Sequence, residues 1–349
     1  MKKKNSTARR KKVKFDSKHL NDPIIKKVYL TFKKQLYSQI KNEKFCIGVS
    51  GGPDSLALAF LSKIFSKKFN SKFIALIIDH NLRKQSATEA QKVKIILTKH
   101  KIRAKILTWT GKIPKSNIQF NARNIRYFLL NKECSKLNIK NLVLAHHESD
   151  LIENFFIRLF RGSGLKGLSS LNIKRHSENN ILNLIRPLIN TKKNELIYIS
   201  KKVFKFYLND PTNFNEKFLR TRIRNYLDKF KLEGLDINKV KLTLNNLQLA
   251  NESINFYKEK SIKNYTRYLQ HHACFVSYGL FNYESEEVIF RAICDIISKV
   301  SGKYYPPRGK DVKNLITGIQ SKKFKKATLG GCIIEKTYNI LIFRKEFGA

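Results

Sequence analysis

The stretch FCIGVSGGPDSLALAF, Phe45 to Phe60, limits the possible folds more than any other part of the chain. An apolar run, Phe45 to Val49, stops at SGGPDS, and an apolar pattern with helical spacing then begins. Such a run predicts a buried strand, and proline suits the first position of a helix. Glycines between a strand and a helix bring backbone N–H groups close to an anion at the helix N-terminus. The stretch therefore predicts a strand–loop–helix unit that binds phosphate.

Short β-branched runs alternate with helical patterns along the first half of the chain. This alternation predicts an α/β fold with a doubly wound, mostly parallel sheet, in which ligands bind at the carboxyl ends of the strands. We expect a basic, disordered arm at residues 1–20 and the catalytic domain at 21–215, which ends in the loop-forming stretch 207–215. A smaller, mainly helical and basic domain is expected at 216–349, ending in a β-hairpin at 325–346. Strands of the first domain are predicted at 45–49, 72–79, 103–109, 141–146 and 182–188.

The chain has a large excess of positive charge. Lys and Arg total 70 against 26 acidic residues, which gives a net charge of +44. The excess favours a polyanionic partner such as nucleic acid. The alternative is a genome poor in G and C, which raises the content of Lys, Asn and Ile together. The N-terminal arm either adds to RNA affinity or is a solvated tail.

The five cysteines are scattered, and no two form a CxxC pair. This spacing indicates neither a disulfide framework nor a zinc site. We therefore expect reduced thiols and a cytoplasmic protein. No apolar stretch approaches the roughly 20 residues that cross a bilayer, and the basic N-terminus is not a secretory signal. Neither membrane association nor a stable protein partner is inferred.

The composition of the loop narrows its phosphate chemistry. It lacks the lysine with which a Walker loop neutralises a transferring γ-phosphate. A pocket without that lysine is suited to a pyrophosphate that leaves whole after attack at the α-phosphate of ATP. Asp54 is predicted to bind Mg²⁺, because a carboxylate beside a phosphate needs an intervening cation; the alternative is an acid that stabilises the helix dipole. The predicted nucleotide-binding residues are Ser50, Gly51, Gly52, Pro53, Asp54 and Ser55.

The loop resembles the PP-loop of N-type ATP pyrophosphatases, which adenylate an oxygen and then displace AMP. Further motifs follow it in order, and together they resemble the tRNA(Ile)-lysidine synthases over about residues 40–230, and weakly beyond. Many family members carry a further C-terminal domain, which this chain is expected to lack. The motifs are IDHNLR (78–83), NARNIRY (121–127), AHHESDLIENFFIRLFRGSGLKGL (145–168), RPLINTKKNELIYI (186–199) and NDPTNFNEKFLRTRIRN (209–225).

The resemblance implies a reaction and its substrates. With ATP and Mg²⁺, the C2 oxygen of a cytidine is adenylated, and lysine then displaces AMP to give lysidine. The target is the first anticodon base of the isoleucine tRNA whose unmodified anticodon is CAU. A PP-loop tRNA thiolase and a non-catalytic RNA-binding protein are the alternatives; scattered cysteines disfavour the first, and the intact loop and acid pair disfavour the second.

Two acids follow the fourth predicted strand. Asp150 and Glu153 are about 60° apart on the predicted helix 149–160, away from its apolar stripe. The resemblance implies that they bind the amino groups of lysine; the alternative is a helix start that favours acids. Ser149 and Asn154 replace an Asp and a Thr of the family pattern.

Several other polar residues are candidates. The resemblance makes Arg126 a candidate for binding the cytosine, the adenylate or the lysine carboxylate. His146 is expected to line the nucleotide site, while Asp79 and His80 either contact the ATP or cap a turn. Three alternating arginines either bind the tRNA backbone or form a solvated basic face; they are Arg220, Arg222 and Arg224. The predicted catalytic residues are Asp54, Arg126, Asp150 and Glu153.

Overall fold

The apolar run Phe45–Val49 forms a strand at the centre of a six-stranded sheet. The strands of this sheet are β1 Phe45–Val49, β2 Phe73–Asp79, β3 Ala104–Thr108, β4 Asn141–Val143, β5 Lys174–His176 and β6 Asn183–Ile185. Their spatial order is β3-β2-β1-β4-β6-β5, and β5 alone of these six runs antiparallel to its neighbour. The predicted doubly wound, mostly parallel α/β fold is confirmed.

The computed structural model describes residues 17–81, 85–111, 118–171, 174–176, 182–208, 219–269, 273–303, 306–321 and 323–346. These residues divide into two compact units. The first unit contains the described residues up to Ser163 and those from Ser170 to Ile237. The second contains Gly164–Ser169 and the described residues from Asn238 onward.

Helices cover both faces of the six-stranded sheet. The helices of the first unit are a 3-10 helix, Ser17–Asn21, then α1 Pro23–Ile40, α2 Pro53–Phe69, α3 Ser86–Lys99, α4 Ile118–Lys136, α5 Glu148–Leu159, α7 Lys193–Phe204 and α8 Leu219–Leu232. Helix α6, Leu165–Leu168, lies between α5 and α7 in the sequence but belongs to the second unit. One hydrophobic core joins the sheet to α1, α2, α3 and α7. A second core joins the opposite face to α4. Alternate residues of β1 enter different cores, as the period of a strand requires.

The first unit extends beyond the predicted boundary at 215. Helix α8 packs against α5, burying Ile223 and Leu227 and placing the ring of Phe230 against that of Phe156. The unit therefore ends at Ile237. Residues 1–16 of the predicted arm and 209–215 of the predicted boundary loop lie outside the described residues, and Ser17–Leu20 form most of the 3-10 helix.

The second unit combines helices with an antiparallel sheet. Its other helices are α9 Ile237–Tyr265, whose first residue belongs to the first unit, α10 Gly279–Tyr283, α11 Glu286–Ser301 and α12 Gly309–Gln320. Its strands, in the spatial order β7-β8-β11-β10-β9, are β7 Thr266–Leu269, β8 Ala273–Ser277, β9 Lys326–Leu329, β10 Cys332–Thr337 and β11 Ile340–Lys345. The predicted hairpin is β10–β11, to which the structure adds three strands. Buried Ile334 and Phe343 pack with Ile293 and Ile297 of α11 in one core.

Across the described ranges, no helix is both long enough and apolar enough to cross a bilayer.

The position of the boundary can be tested by shortening the chain. A chain ending at Ile237 should be more stable to urea than a chain ending at residue 215. The shorter chain loses the buried side chains of Ile223 and Leu227, which should lower the free energy of unfolding by about 3 kcal/mol or more. Equal stability of the two chains would contradict the assignment of α8 to the first unit.

Candidate functional site

The loop Ser50–Ser55 is folded around the hydroxyl of its last residue. Ser55 Oγ accepts hydrogen bonds from the backbone N–H groups of Ser50 at 3.2 Å and Gly51 at 3.1 Å. It donates to the carbonyl of Gly52 at 2.9 Å, and the side chain is buried. Ser55 therefore shapes the loop through all three contacts. Its predicted role as a donor to phosphate stays a prediction.

Two more distant residues hold the loop against the rest of the unit. The backbone N–H of Leu208 donates to the carbonyl of Gly51 at 2.9 Å. The buried hydroxyl of Ser200, on α7, donates to the carbonyl of Pro53 at 2.5 Å. Pro53 is the first residue of α2, as predicted. The loop is thus fixed at both ends before any nucleotide is bound.

The two glycines of the loop do different work. Gly51 has a φ of +86°, and a Cβ there would lie 2.5 Å from Val93 and 2.8 Å from Leu208. Gly52 has an ordinary φ of −68°, and among the described residues its Cβ would meet only Ser50 Oγ, at 3.6 Å. Gly51 is therefore required by the fold itself. Gly52 leaves open space at the N-cap of α2, where the helix N-terminus attracts anions.

Asp54 lies in the first turn of α2 and has a carboxylate oxygen with no partner. Its Oδ1 is buried and has no hydrogen bond among the described residues, while Oδ2 lies 3.5 Å from Nε2 of His147. A buried carboxylate oxygen without a donor is costly, and a hard cation would satisfy it. The residue therefore fits the predicted role of a magnesium ligand.

His147 connects the loop to the acidic helix. It is the N-cap of α5, and its buried Nε2 lies 3.5 Å from a carboxylate oxygen of Asp54 and 3.5 Å from one of Asp150. Burial alone lowers the pKa of His147, but the hydrogen bond to Asp54 and the charges of Asp150 and Asp54 outweigh burial and raise it. This contact was not predicted from the sequence, where His146 was the candidate; the adjacent pair His146-His147 was the signal that pointed to it.

His146 has a different environment from its neighbour. Its Nδ1 accepts a hydrogen bond from Nε of Arg186 at 3.2 Å. Burial, together with the charge of Arg186, lowers the pKa of His146 to about 3, so its ring is neutral at physiological pH. The expectation that it lines the nucleotide site stays a prediction.

The predicted acid pair comes together on α5, but both carboxylates are already occupied. Asp150 accepts a hydrogen bond from the backbone N–H of His147 at 3.1 Å and lies 3.3 Å from Nη2 of Arg220. Burial alone raises the pKa of Asp150, but the charges of His147 and Arg220 lower it. Asp150 thus caps the helix, as the alternative interpretation proposed, and also faces a cation.

Glu153 is buried and is neutralised by two arginines of α8. Its carboxylate accepts hydrogen bonds from Nε of Arg224 at 2.6 Å, from Nε of Arg220 at 2.8 Å and from Nη2 of Arg224 at 3.3 Å. Two of the three alternating arginines therefore bind the acid pair within the protein. Glu153 can bind a further cation, in addition to these two guanidinium groups, only if at least one of them shifts.

Arg126 lies by the end of β2. Its Nη2 is 3.5 Å from Nε2 of His80, and burial together with Arg126 lowers the pKa of His80 to about 4. Asp79 is buried, and its carboxylate accepts a hydrogen bond from the backbone N–H of Asn81 at 2.9 Å, so it caps the turn after β2. Arg123, one turn from Arg126, contributes to the low pKa of His146. Helix α4 thus places one arginine near the end of β2 and another near the end of β4.

The cysteines are free and buried: Cys46, Cys134, Cys274, Cys294 and Cys332. Burial raises the pKa of the last three to about 11. Among the residues with a described position, no three His, Cys, Asp or Glu side chains gather into a metal-binding group.

Comparison with known proteins identifies relatives over most of the chain. Residues 26–230 match the model of the PP-loop domain. The tRNA(Ile)-lysidine synthase of Orientia tsutsugamushi (strain Boryong) is 34% identical over 320 residues, which cover 88% of this chain and 71% of that protein. The tRNA(Ile)-lysidine synthase of Rickettsia felis (strain ATCC VR-1525 / URRWXCal2) is 33% identical over 328 residues, covering 92% and 74% respectively.

The fold is also similar to that of a solved tRNA-modifying enzyme. The U34-tRNA thiolase NcsA from Methanococcus maripaludis superimposes with a TM-score of 0.56 at 18% identity, covering 66% of this chain and 79% of that one. At this identity the similarity concerns the fold alone.

The two glycines provide a matched pair of substitutions. Gly51→Ala should lower the free energy of unfolding by roughly 1–3 kcal/mol, since it combines a left-handed backbone with overlap against Val93 and Leu208. Gly52→Ala should cost less than about 1 kcal/mol but should weaken ATP binding, because its methyl group enters the open space before α2. Urea unfolding and calorimetric titration with ATP measure both effects. The reverse pattern would refute this division of roles.

The position of His147 predicts its titration. By NMR without Mg²⁺, its pKa should exceed the ordinary value of about 6.5, and Asp54→Asn should lower it. Because the folded-state pKa is raised, this contact stabilises the fold at pH below about 6.5, and the contribution disappears as pH rises through the folded-state pKa. Asp228→Asn, on the exposed side of α8, is the matched control and should leave the pKa of His147 unchanged. An unshifted pKa in Asp54→Asn would contradict the contact.

Proposed function

The chain belongs to the tRNA(Ile)-lysidine synthases, a family of ATP-dependent ligases built on the PP-loop domain, and on this premise we propose that it ligates lysine to a cytidine of isoleucine tRNA. The cytidine is the first anticodon base of the tRNA whose unmodified anticodon is CAU. One observation carries the proposal: His147 contacts Asp54 of the phosphate loop and Asp150 of the acid pair at equal distances. The nucleotide-binding loop and the cation-binding acids therefore form a single centre.

The loop residues would bind ATP and favour departure of pyrophosphate. The open N-terminus of α2 at Gly52 offers backbone N–H donors and a positive dipole end to the phosphates. Asp54 would hold Mg²⁺, which would neutralise phosphate charge. The C2 oxygen of the cytidine attacks the α-phosphorus, and the bond to pyrophosphate breaks. A neutral amine of lysine then attacks C2, and AMP leaves with the oxygen.

The acid pair and its arginines match the charges of free lysine. Lysine carries two amino groups and one carboxylate, so it needs acids and a cation together. Asp150 would bind one amino group and Glu153 the second, the latter by exchange with a guanidinium group. The side chain of Arg220 contacts both acids and is 42% exposed, so the exposed part of its guanidinium group would bind the carboxylate of the lysine. This arrangement would orient the lysine relative to C2.

Other residues would contact the nucleic acid. Arg126, exposed on α4 near the end of β2, is proposed to bind the cytosine or the adenylate. The second unit and the basic residues 1–16 are proposed to bind the tRNA backbone, consistent with a net charge of +44. A tRNA substrate and five free thiols agree with a cytoplasmic location.

The thiolase alternative conflicts with the chemistry of the cysteines. A cluster-dependent thiolase needs several accessible thiolates close together. Here Cys46 and Cys134 are buried in one unit, and the remaining three are buried in the other with raised pKa values.

The reaction can be tested with purified components. Incubation with ATP, Mg²⁺, labelled lysine and a CAU-anticodon isoleucine tRNA transcript should transfer label to RNA, with one AMP and one pyrophosphate released per lysine. Asp150→Asn should raise the KM for lysine by roughly 10-fold or more, the loss of one charge-assisted contact, with a smaller effect on the KM for ATP. Protein that binds ATP but transfers no lysine, or that transfers sulfur, would refute the proposal.

A further inference from the structure

Helices α5 and α8 carry exposed aromatic rings that the proposed reaction does not use. Phe160, at the C-cap of α5, is 57% exposed, and Phe230, on α8, is 41% exposed. Exposed Tyr226 lies on the same helix as Phe230, and partly buried Phe156 lies on α5. We call these four side chains the aromatic patch: Phe156, Phe160, Tyr226 and Phe230.

Contacts between rings hold three members of the aromatic patch together: Phe156, Phe160 and Phe230. The ring of Phe156 lies 6.2 Å from that of Phe160 and 6.4 Å from that of Phe230, the latter at an interplanar angle of 34°. Phe156 also packs edge-on against the buried Phe155 at 5.4 Å. The exposed rings of Phe160 and Phe230 therefore pack on Phe156, which itself packs on a buried ring. This packing reduces the entropy lost when the exposed rings bind a ligand.

The patch continues the acid pair along the same helical face. Phe160 is seven residues after Glu153, which places it about 20° away around α5 and about 10 Å further along its axis. On α8, the arginines that bind Glu153 come first and Phe230 follows six residues after Arg224. The paired helices thus present the proposed reaction centre at one end and the exposed rings at the other.

The charge around the patch matches a nucleic acid. Near Phe230, helix α8 carries Lys229 and Lys231 beside its one acid, Asp228, which pairs with Lys231 at 2.7 Å. Arg158 and Arg161 flank Phe160 in the sequence at the end of α5. Aromatic side chains set among cations are the usual surface for unpaired nucleotides, which stack on the rings while cations contact the backbone.

We infer that Phe160 and Phe230 stack on nucleobases up to about three nucleotides from the reacting cytidine. The inference rests on the proposed function, which places that cytidine at the acid pair. A distance of about 10 Å corresponds to about three stacked nucleotides, since each adds about 3.4 Å along a strand. The patch would thus hold the neighbouring bases of the anticodon loop and keep the cytidine turned toward Asp54 and Asp150.

The test uses the full chain and an anticodon stem–loop with 2-aminopurine about three nucleotides from the cytidine. Stacking quenches this base, so binding to wild-type protein should lower its fluorescence. Phe160→Leu and Phe230→Leu, which keep apolar area but lose the ring, should bind roughly 5- to 150-fold more weakly and with less quenching. Phe160→Trp should restore both quantities.

Two control variants distinguish base stacking from general apolar contact. Leu232→Ala removes an 88% exposed apolar side chain from the end of α8, and Tyr37→Leu removes an exposed ring from α1; both should bind RNA like wild type. Equal losses in Leu232→Ala would indicate general apolar contact, as for a protein partner, and would overturn the inference. Should Phe230→Leu unfold, Phe160→Leu decides alone, since its ring is more exposed.

The two proposals fail in different ways. Unchanged RNA affinity and quenching in Phe160→Leu, with normal lysine transfer by wild type, would overturn the stacking inference and leave the reaction standing. Wild-type protein that quenches the probe but transfers no lysine would refute the proposed reaction and support the patch as an RNA surface.

Discussion

The candidate site depends on one buried imidazole between two carboxylates. His147 lies 3.5 Å from both Asp54 and Asp150, and those two residues begin helices that follow different strands of the sheet. The charges of the two acids raise the pKa of the histidine against the effect of burial. In a buried environment such a contact is stronger than at the surface. It fixes the distance between the loop Ser50–Ser55 and the acid pair.

A second constraint is the neutralisation of Glu153. A buried carboxylate without partners is costly, and two guanidinium groups from α8 remove that cost. The same contacts hold α8 on α5, which is why the first unit includes residues well beyond the predicted boundary at 215. The arginines thus stabilise the unit and define the electrostatics of the acid pair. Any cation that reaches Glu153 has to compete with them.

Local pattern was enough to predict the strand–loop–helix unit and the alternating fold, and it placed Asp150 and Glu153 on one helix. The interpretation of the two acids as a site came from the family resemblance and not from their spacing. Local pattern was not enough to distinguish Gly51 from Gly52, since only the packing of Val93 and Leu208 makes them different. The partners of Glu153 are 67 and 71 residues away in sequence, and no local period relates them. Strand β7 was missed because its four residues, Thr266–Leu269, directly follow a long helix in a basic stretch. The short apolar run that forms β8, Ala273–Ser277, was not predicted as a strand. The contacts of His147 are likewise tertiary, and the HH pair alone could not show which ring faces the loop.

The phosphate loop and the acid pair are held together through His147, so the two ligands proposed for them, ATP and lysine, should be coupled. Calorimetric titration of lysine, with and without a non-hydrolysable ATP analogue, tests this coupling most directly in wild type and His147→Gln. In wild-type protein the analogue should change lysine affinity by roughly 5-fold or more, the range typical of coupled sites, and in His147→Gln this dependence should largely vanish. Lysine affinity that is independent of the analogue in wild type, or a dependence that survives fully in His147→Gln, would contradict a single centre built on this histidine.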